Sequence, residues 1–318
     1  MKEDFIFSIN VVLPLFLCCI TGYVARRCHL VSEAFVTECS HVVFYIAIPS
    51  NIFLSISGSK SGKVLNMNLL IFVLTAILLV SFVLVLINGA LIKDGKIAAT
   101  MALCMFRSNF AMLGIPLAIN LMGQAGASPT MVMVPFATIL YTILSVGILV
   151  MTSGKPKGSK GEIMWNAWKE VIKNPLIIAS LASIFTALFY IKLPPFVNGT
   201  IENFADMSAG LALFMLGAQL NMQEATERLV YTVPVVLVRL ILVPILVVGA
   251  AVLLGFRGSD LACVFIIFSA PTAINSYILA DRMGGDGNLA GDAVLLTSFM
   301  AVITLTAGIF IMRTMQLI

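Results

Sequence analysis

Two short runs hold most of the residues able to do chemistry. The first is Arg107-Ser108-Asn109-Phe110-Ala111-Met112-Leu113-Gly114-Ile115-Pro116-Leu117, and the second is Ser269-Ala270-Pro271-Thr272-Ala273-Ile274-Asn275-Ser276-Tyr277. Each sets a proline among small polar residues inside an otherwise apolar stretch. Proline removes a backbone donor and breaks or kinks a helix. The helix that resumes after such a break presents unpaired N–H groups and about half a positive charge at its N-terminus. Two such ends facing each other favour an anion. Arg107 can hold a carboxylate through two parallel bonds, or serve as a structural counter-charge for Asp206 or Asp292. Asn109 and Asn275 can bridge freed backbone groups or a ligand. The candidate binding residues of the two runs are therefore Arg107, Asn109, Gly114, Pro116, Pro271, Asn275 and Ser276.

Other chemistries fit poorly. Gly284-Gly285-Asp286 and Gly291-Asp292 do not complete the paired-aspartate pattern of an intramembrane protease, and neither an HExxH nor a GxSxG run occurs. Histidines are limited to His29 and His41, too few for a metal centre, so no metal, cofactor or catalytic residue is expected and the chain does not read as an enzyme. The six cysteines read as small buried hydrophobes. A net charge of +4, dispersed along the chain, excludes nucleic acid as a partner.

The elements that must position these residues follow from composition. Of 318 residues, 60% are hydrophobic and 11% charged, against roughly 45–50% and about 25% in soluble domains. A soluble core cannot bury that much apolar surface, so lipid is the solvent. A bilayer-spanning helix needs about 20 apolar residues. That ruler finds ten spans, near 5–25, 32–57, 66–92, 97–122, 131–151, 174–191, 201–220, 229–254, 260–279 and 289–312. The expected fold is an all-α membrane protein.

Residues 152–173 form a basic, glycine- and serine-containing linker between two five-span halves, 1–151 and 174–318. A short amphipathic piece with Trp165 and Trp168 lies within the linker. Five spans per half make the second half enter the membrane from the opposite side, as in inverted-repeat transporters. The two proline-bearing runs then occupy the fourth and ninth spans. Arg107 falls about 15 Å into the membrane at 1.5 Å per residue. Arg239 lies at similar depth in the eighth span and reads as structural. Basic residues divide 11 to 6 in favour of the side carrying Arg26-Arg27 and the linker, which places that side in the cytoplasm and both termini outside the cell membrane.

The coupling candidates are Glu38 and His41, three apart on span two, together with Asp206 and Asp292. The last two are read near the ends of spans seven and ten, where capping or interface solvation would also account for them.

The run Asn109 through Leu117 resembles the fourth-span signature of the auxin efflux carrier family, which includes malate-permease-like members. Pro271 through Ala280 resembles the ninth-span signature of the same family. Ile46 through Phe53, Leu211 through Gly217 and Asn174-Pro175-Leu176 resemble its second span, its seventh span and the opening of its second half. The resemblance adds Asn51 to the binding candidates.

It also implies two inverted five-helix repeats, crossed broken helices four and nine, and a scaffold of spans 1, 2, 6 and 7 beside a moving unit. The function it implies is alternating-access transport of a small organic anion, with malate-like dicarboxylates first and an auxin-like aromatic carboxylate second. A non-transporting sensor or channel on the same fold is the competing reading. Expected partners are the anion, the bilayer, a coupling proton or sodium ion, and a second copy docked through the scaffold helices.

Overall fold

A computed structural model describes residues 1–57, 66–152, 165, 169, 172–189, 191, 193–219 and 228–318. Among these residues the chain is helical, and its one extended pairing is an isolated bridge. Lys60, Lys63 and Lys192 of the expected outer loops, the linker lysines Lys155, Lys157 and Lys160, and Trp168 lie outside the described residues.

The first half comprises α1 (Lys2–Arg27), α2 (Glu33–Val42), α3 (Ile48–Ser57), α4 (Met67–Leu91), α5 (Gly95–Phe106), α6 (Ile115–Gly126) and α7 (Ser128–Thr152). The second comprises α8 (Pro175–Leu188), α9 (Pro195–Ala218), α10 (Leu229–Leu237), α11 (Val243–Leu253), α12 (Gly258–Ser269), α13 (Asn275–Arg282) and α14 (Gly287–Thr314). Wider π-helical turns at Val43–Ala47 and Val238–Leu242 join α2 to α3 and α10 to α11, so each pair runs as one continuous rod.

Local chemistry starts and stops these helices. Ser32, Asn66, Asp94, Asn174 and Asp286 cap N-termini by accepting backbone N–H bonds with their side chains. Pro175 and Pro195 sit in first turns, where a missing N–H costs nothing. Among the described residues, five rods are long and apolar enough to cross a membrane: Lys2–Arg27, Met67–Leu91, Ser128–Leu149, Leu229–Leu253 and Gly287–Thr314. The remaining expected spans are more polar, shorter or interrupted, and most of the site is built from them.

Three expectations need correction. The fourth span was expected to be interrupted by Pro116 together with the small polar residues of its run, but only Arg107–Asn109 leave the helix and Pro116 lies within helical backbone. The helix has already resumed at Phe110, in a wide π-helical turn (Phe110–Gly114) that runs straight into α6, so Pro116 marks neither the break nor the restart. Asp206 is not near a helix end, because α9 begins at Pro195 and Asp206 falls at its middle. Asp292 does not cap α14 either. Asp286 does, accepting from the Leu289 N–H at 3.1 Å, while Asp292 is buried between one and two turns further in.

Two groups of helices pack internally: α1, α3, α8 and α9 in one, α4, α5, α7 and α10–α14 in the other. The tightest approach in the first group is α1 against α9. A Cβ on Gly22 would overlap the Phe214 carbonyl, and one on Gly217 would overlap the Cys19 carbonyl. Small residues let membrane helices come together this closely. A Gly22→Val substitution presses against backbone, which cannot swing aside as a side chain can. We expect it to cost about 3 kcal/mol or more, the upper end for overpacking. Size-exclusion and melting measurements in detergent should show aggregated or strongly destabilised protein, whereas Gly199→Ala, facing open space, should behave as wild type.

Candidate functional site at the helix crossing

The two broken spans meet at their breaks. Ser108 and Thr272 form an antiparallel bridge. The Asn109 N–H donates to the Pro271 carbonyl at 2.8 Å, and the Ala273 N–H donates to the Arg107 carbonyl at 3.2 Å. Backbone groups freed at one break thus satisfy those freed at the other, the condition for irregular backbone inside a membrane protein.

The C-terminal ends of α5 and α12 converge on the same point, where Arg239 closes them. Its guanidinium, fully buried, donates to the carbonyls of Ala270 (2.8 Å), Phe106 (3.1 Å) and Ile267 (3.1 Å). Thr272 adds a bond from its hydroxyl to the Cys104 carbonyl at 2.8 Å, and its N–H donates to the Thr297 hydroxyl at 3.1 Å. Two helix C-termini carry about half a negative charge each, so one guanidinium balances the pair without a carboxylate.

With the negative ends occupied, the restarting segments face a cavity of about 320 Å³. Arg107 through Met112 line it from the first break and Ala273, Ile274 and Asn275 from the second. Thr138, Tyr141 and Thr142 come from α7, Asn174 and Leu176 from the start of α8, and Phe44 from the turn between α2 and α3. Its polar lining is rich in donors. Arg107 is buried and donates to the Ser145 hydroxyl at 2.8 Å. The Asn109 amide nitrogen and the Ser108 hydroxyl are buried with no hydrogen-bond partner, and the buried Tyr141 hydroxyl lies beside the Arg239 guanidinium. Among the described residues no aspartate or glutamate lines the cavity. Such a lining can offer a carboxylate several donors in a site of low dielectric, where unmade bonds are costly.

Not every candidate is at this cavity. Asn275 lines it and is exposed, whereas Pro271, Gly114, Pro116 and Ser276 are buried and absent from its wall. Asn51 lines a second cavity, of about 860 Å³, with Gln124, Thr186, Asn198, Glu202 and Asp206. There Asn51 donates to Ser208 at 2.6 Å and accepts from Gln124 at 3.2 Å. Asp206 therefore faces a different cavity from Arg107. Opposite ends of α8 reach the two, Asn174 and Leu176 at one and Thr186 at the other. Glu38 and His41 are exposed on α2 and line neither cavity.

The α7 residues are the ones that sequence reasoning missed. Thr138, Tyr141, Thr142 and Ser145 recur at three- and four-residue spacing, a polar stripe on one helix face. That stripe was the available signal.

The model of a family described as membrane transport protein matches residues 7–309. The chain belongs to the membrane transport protein family. Relatives of similar length bear this out. An uncharacterized transporter of Methanocaldococcus jannaschii is 22% identical over 303 residues, covering 93% of this chain and 96% of that one. A Rhizobium meliloti protein named "Putative malonate transporter" is 22% identical over 313 residues, 96% of each chain. A shorter match, 23% over 146 residues, covers 44% of this chain and 23% of auxin efflux carrier component 2 of Oryza sativa subsp. japonica. The resemblance read from the fourth- and ninth-span runs is thus the correct one. Membrane transport proteins of this family are transporters rather than enzymes, and the apolar rods make this one a multi-pass membrane protein.

Proposed function

We propose that this membrane transport protein is a secondary transporter of a small organic anion, a dicarboxylate such as malonate or malate, seated at the helix crossing. The observation that carries the reading is the donor-rich lining of the 320 Å³ cavity: Arg107 and Tyr141 beside two buried polar groups that lack partners, Asn109 and Ser108, with no carboxylate in the wall among the described residues. The name of the Rhizobium meliloti relative points to the same substrate class.

The mechanism is alternating access. In this reading residues 1–151 and 174–318 are inverted five-span repeats joined by the linker 152–173. The scaffold is α1, α2–α3, α8 and α9, and the moving unit is α4–α7 with α10–α14. Support comes from the pattern of packing. Exchanging the halves turns α1 on α9 into α8 on α3, α4 on α5 into α11 on α12, and α5 on α14 into α12 on α7, and all six pairings occur. Two cavities at opposite ends of α8 are what a carrier needs to open to one side at a time. Asp206, beside Glu202 in the larger cavity, is then the coupling candidate best placed to meet a cation. Positive-side counting puts both termini outside the cell membrane.

Counter-transport in liposomes tests this directly. Preloaded vesicles should exchange labelled malonate or malate with saturation and acceleration by internal substrate, and indole acetate should exchange more slowly. Failure of every mono- and dicarboxylate removes the proposal. Steady unitary currents in place of saturable exchange would favour the channel reading.

A further inference from the structure

We propose a binding site for one anionic phospholipid in the groove between α1 and α14. The two helices pack antiparallel, with their polar and aromatic contacts where α1 begins and α14 ends. There Arg313 donates to the Asp4 carboxylate at 3.2 Å, its guanidinium lies 3.8 Å from the centre of the Phe7 ring, and Phe5 packs edge-on against Phe310. Toward the other end they part around an apolar groove of about 310 Å³, walled by Phe16, Cys19 and Tyr23 of α1, Phe299 and Val302 of α14, and Leu113. The groove's accessible lining is apolar, so it suits an acyl chain.

The charge at its mouth selects the headgroup. Tyr23 lines the groove, and one turn further along α1 the Arg27 Nε–H donates to the Tyr23 hydroxyl at 3.1 Å. Arg26 is engaged by Glu33 at 3.0 Å, while among the described residues no carboxylate pairs with the exposed Arg27. Arginine is well suited to phosphate, and basic residues beside a membrane helix attract anionic lipid. Length agrees as well. From Arg27 to Phe16 is about 16 Å at helical rise, close to half of a ~30 Å hydrocarbon core. A chain anchored at Arg27 would therefore end near mid-bilayer against Leu113, the residue before Gly114 of the broken fourth span. The site stands on the membrane-spanning character of the chain and does not need the anion proposal.

The test uses the full chain in vesicles, with Trp165 and Trp168 replaced by phenylalanine and a reporter introduced by Ile20→Trp at the groove rim. Lipids with brominated chains quench a tryptophan that they touch. Brominated phosphatidylglycerol should bind at the reporter at least threefold more tightly than brominated phosphatidylcholine, and Arg27→Gln should abolish the preference. A control reporter, Leu79→Trp on the exposed face of α4, should show no preference. Equal quenching by the two lipids at position 20 overturns the proposal, as does a preference of the same size at position 79 or one that survives Arg27→Gln. Should Arg27→Gln fail to fold, the comparison of the two lipids and the two reporters still decides.

Discussion

Arg239→Met is expected to lower stability by about 4 kcal/mol, the range seen when one partner of a buried charged contact is removed, and to abolish uptake. Methionine has a comparable reach and keeps the core filled, so packing loss is minor. What disappears is the closure of two helix ends. The carbonyls of Phe106, Ile267 and Ala270 lose their donor together, and each unsatisfied buried carbonyl costs about 1–3 kcal/mol. The converging C-termini of α5 and α12 also lose the charge that offsets their mutual repulsion. Arg239→Lys keeps the charge but not the planar fork. It should recover part of the loss, because one ammonium cannot reach three carbonyls along different directions. In detergent the methionine variant should melt about 10 °C below wild type, given a few degrees per kcal/mol for a chain of this size. A shift under about 2 °C would mean that water or Thr272 closes the helix ends instead, and that Arg239 is not the keystone of the crossing.

How much of this was legible in the sequence depends on the range of the interaction. Rods such as α4 and α14 are readable because twenty or more apolar residues in a row leave few alternatives. The two broken spans are readable because proline and small polar residues interrupt the same pattern. The exact break in the fourth span is not, because it is fixed by a partner: Ser108 and Asn109 leave the helix to pair with Thr272 and Pro271, more than 160 positions away. Pro116 is the conspicuous local signal and misleads for that reason. Arg239 could be marked as structural from its depth alone, but its three carbonyl partners come from two other helices and leave no trace nearby. The sorting of Asn51 and Asp206 into one cavity and Arg107 into the other also needs coordinates, since periodicity gives a helix face and not what the face looks at. Glu38 and His41 show the converse. Their spacing is right for a proton-sharing pair, yet the face they share points away from both cavities.

Asn109→Ala should separate function from stability more sharply than any other change at the crossing. The Asn109 amide nitrogen is buried at the cavity wall and has no hydrogen-bond partner within the protein. Removing an unsatisfied donor costs the fold nothing and can stabilise it, because the desolvation penalty goes with it. The melting temperature should therefore hold or rise slightly. A hydrogen bond to a charged group is worth about 1.5–3 kcal/mol, so losing it from a bound carboxylate predicts uptake lower by roughly 10- to 150-fold, at 1.4 kcal/mol per decade. The thermal stabilisation produced by saturating malonate should shrink in parallel, since that shift reports binding to the folded state. Asn109→Asp should be worse than alanine, because it places an acceptor and a negative charge where a donor is needed. Arg107→Lys should be milder, for it retains the charge and loses only the two-bond geometry. A destabilised Asn109→Ala protein would show the amide to be structural. A stable one with full uptake would move the anion seat away from the crossing, and the larger cavity around Asn51 and Gln124 would become the place to look.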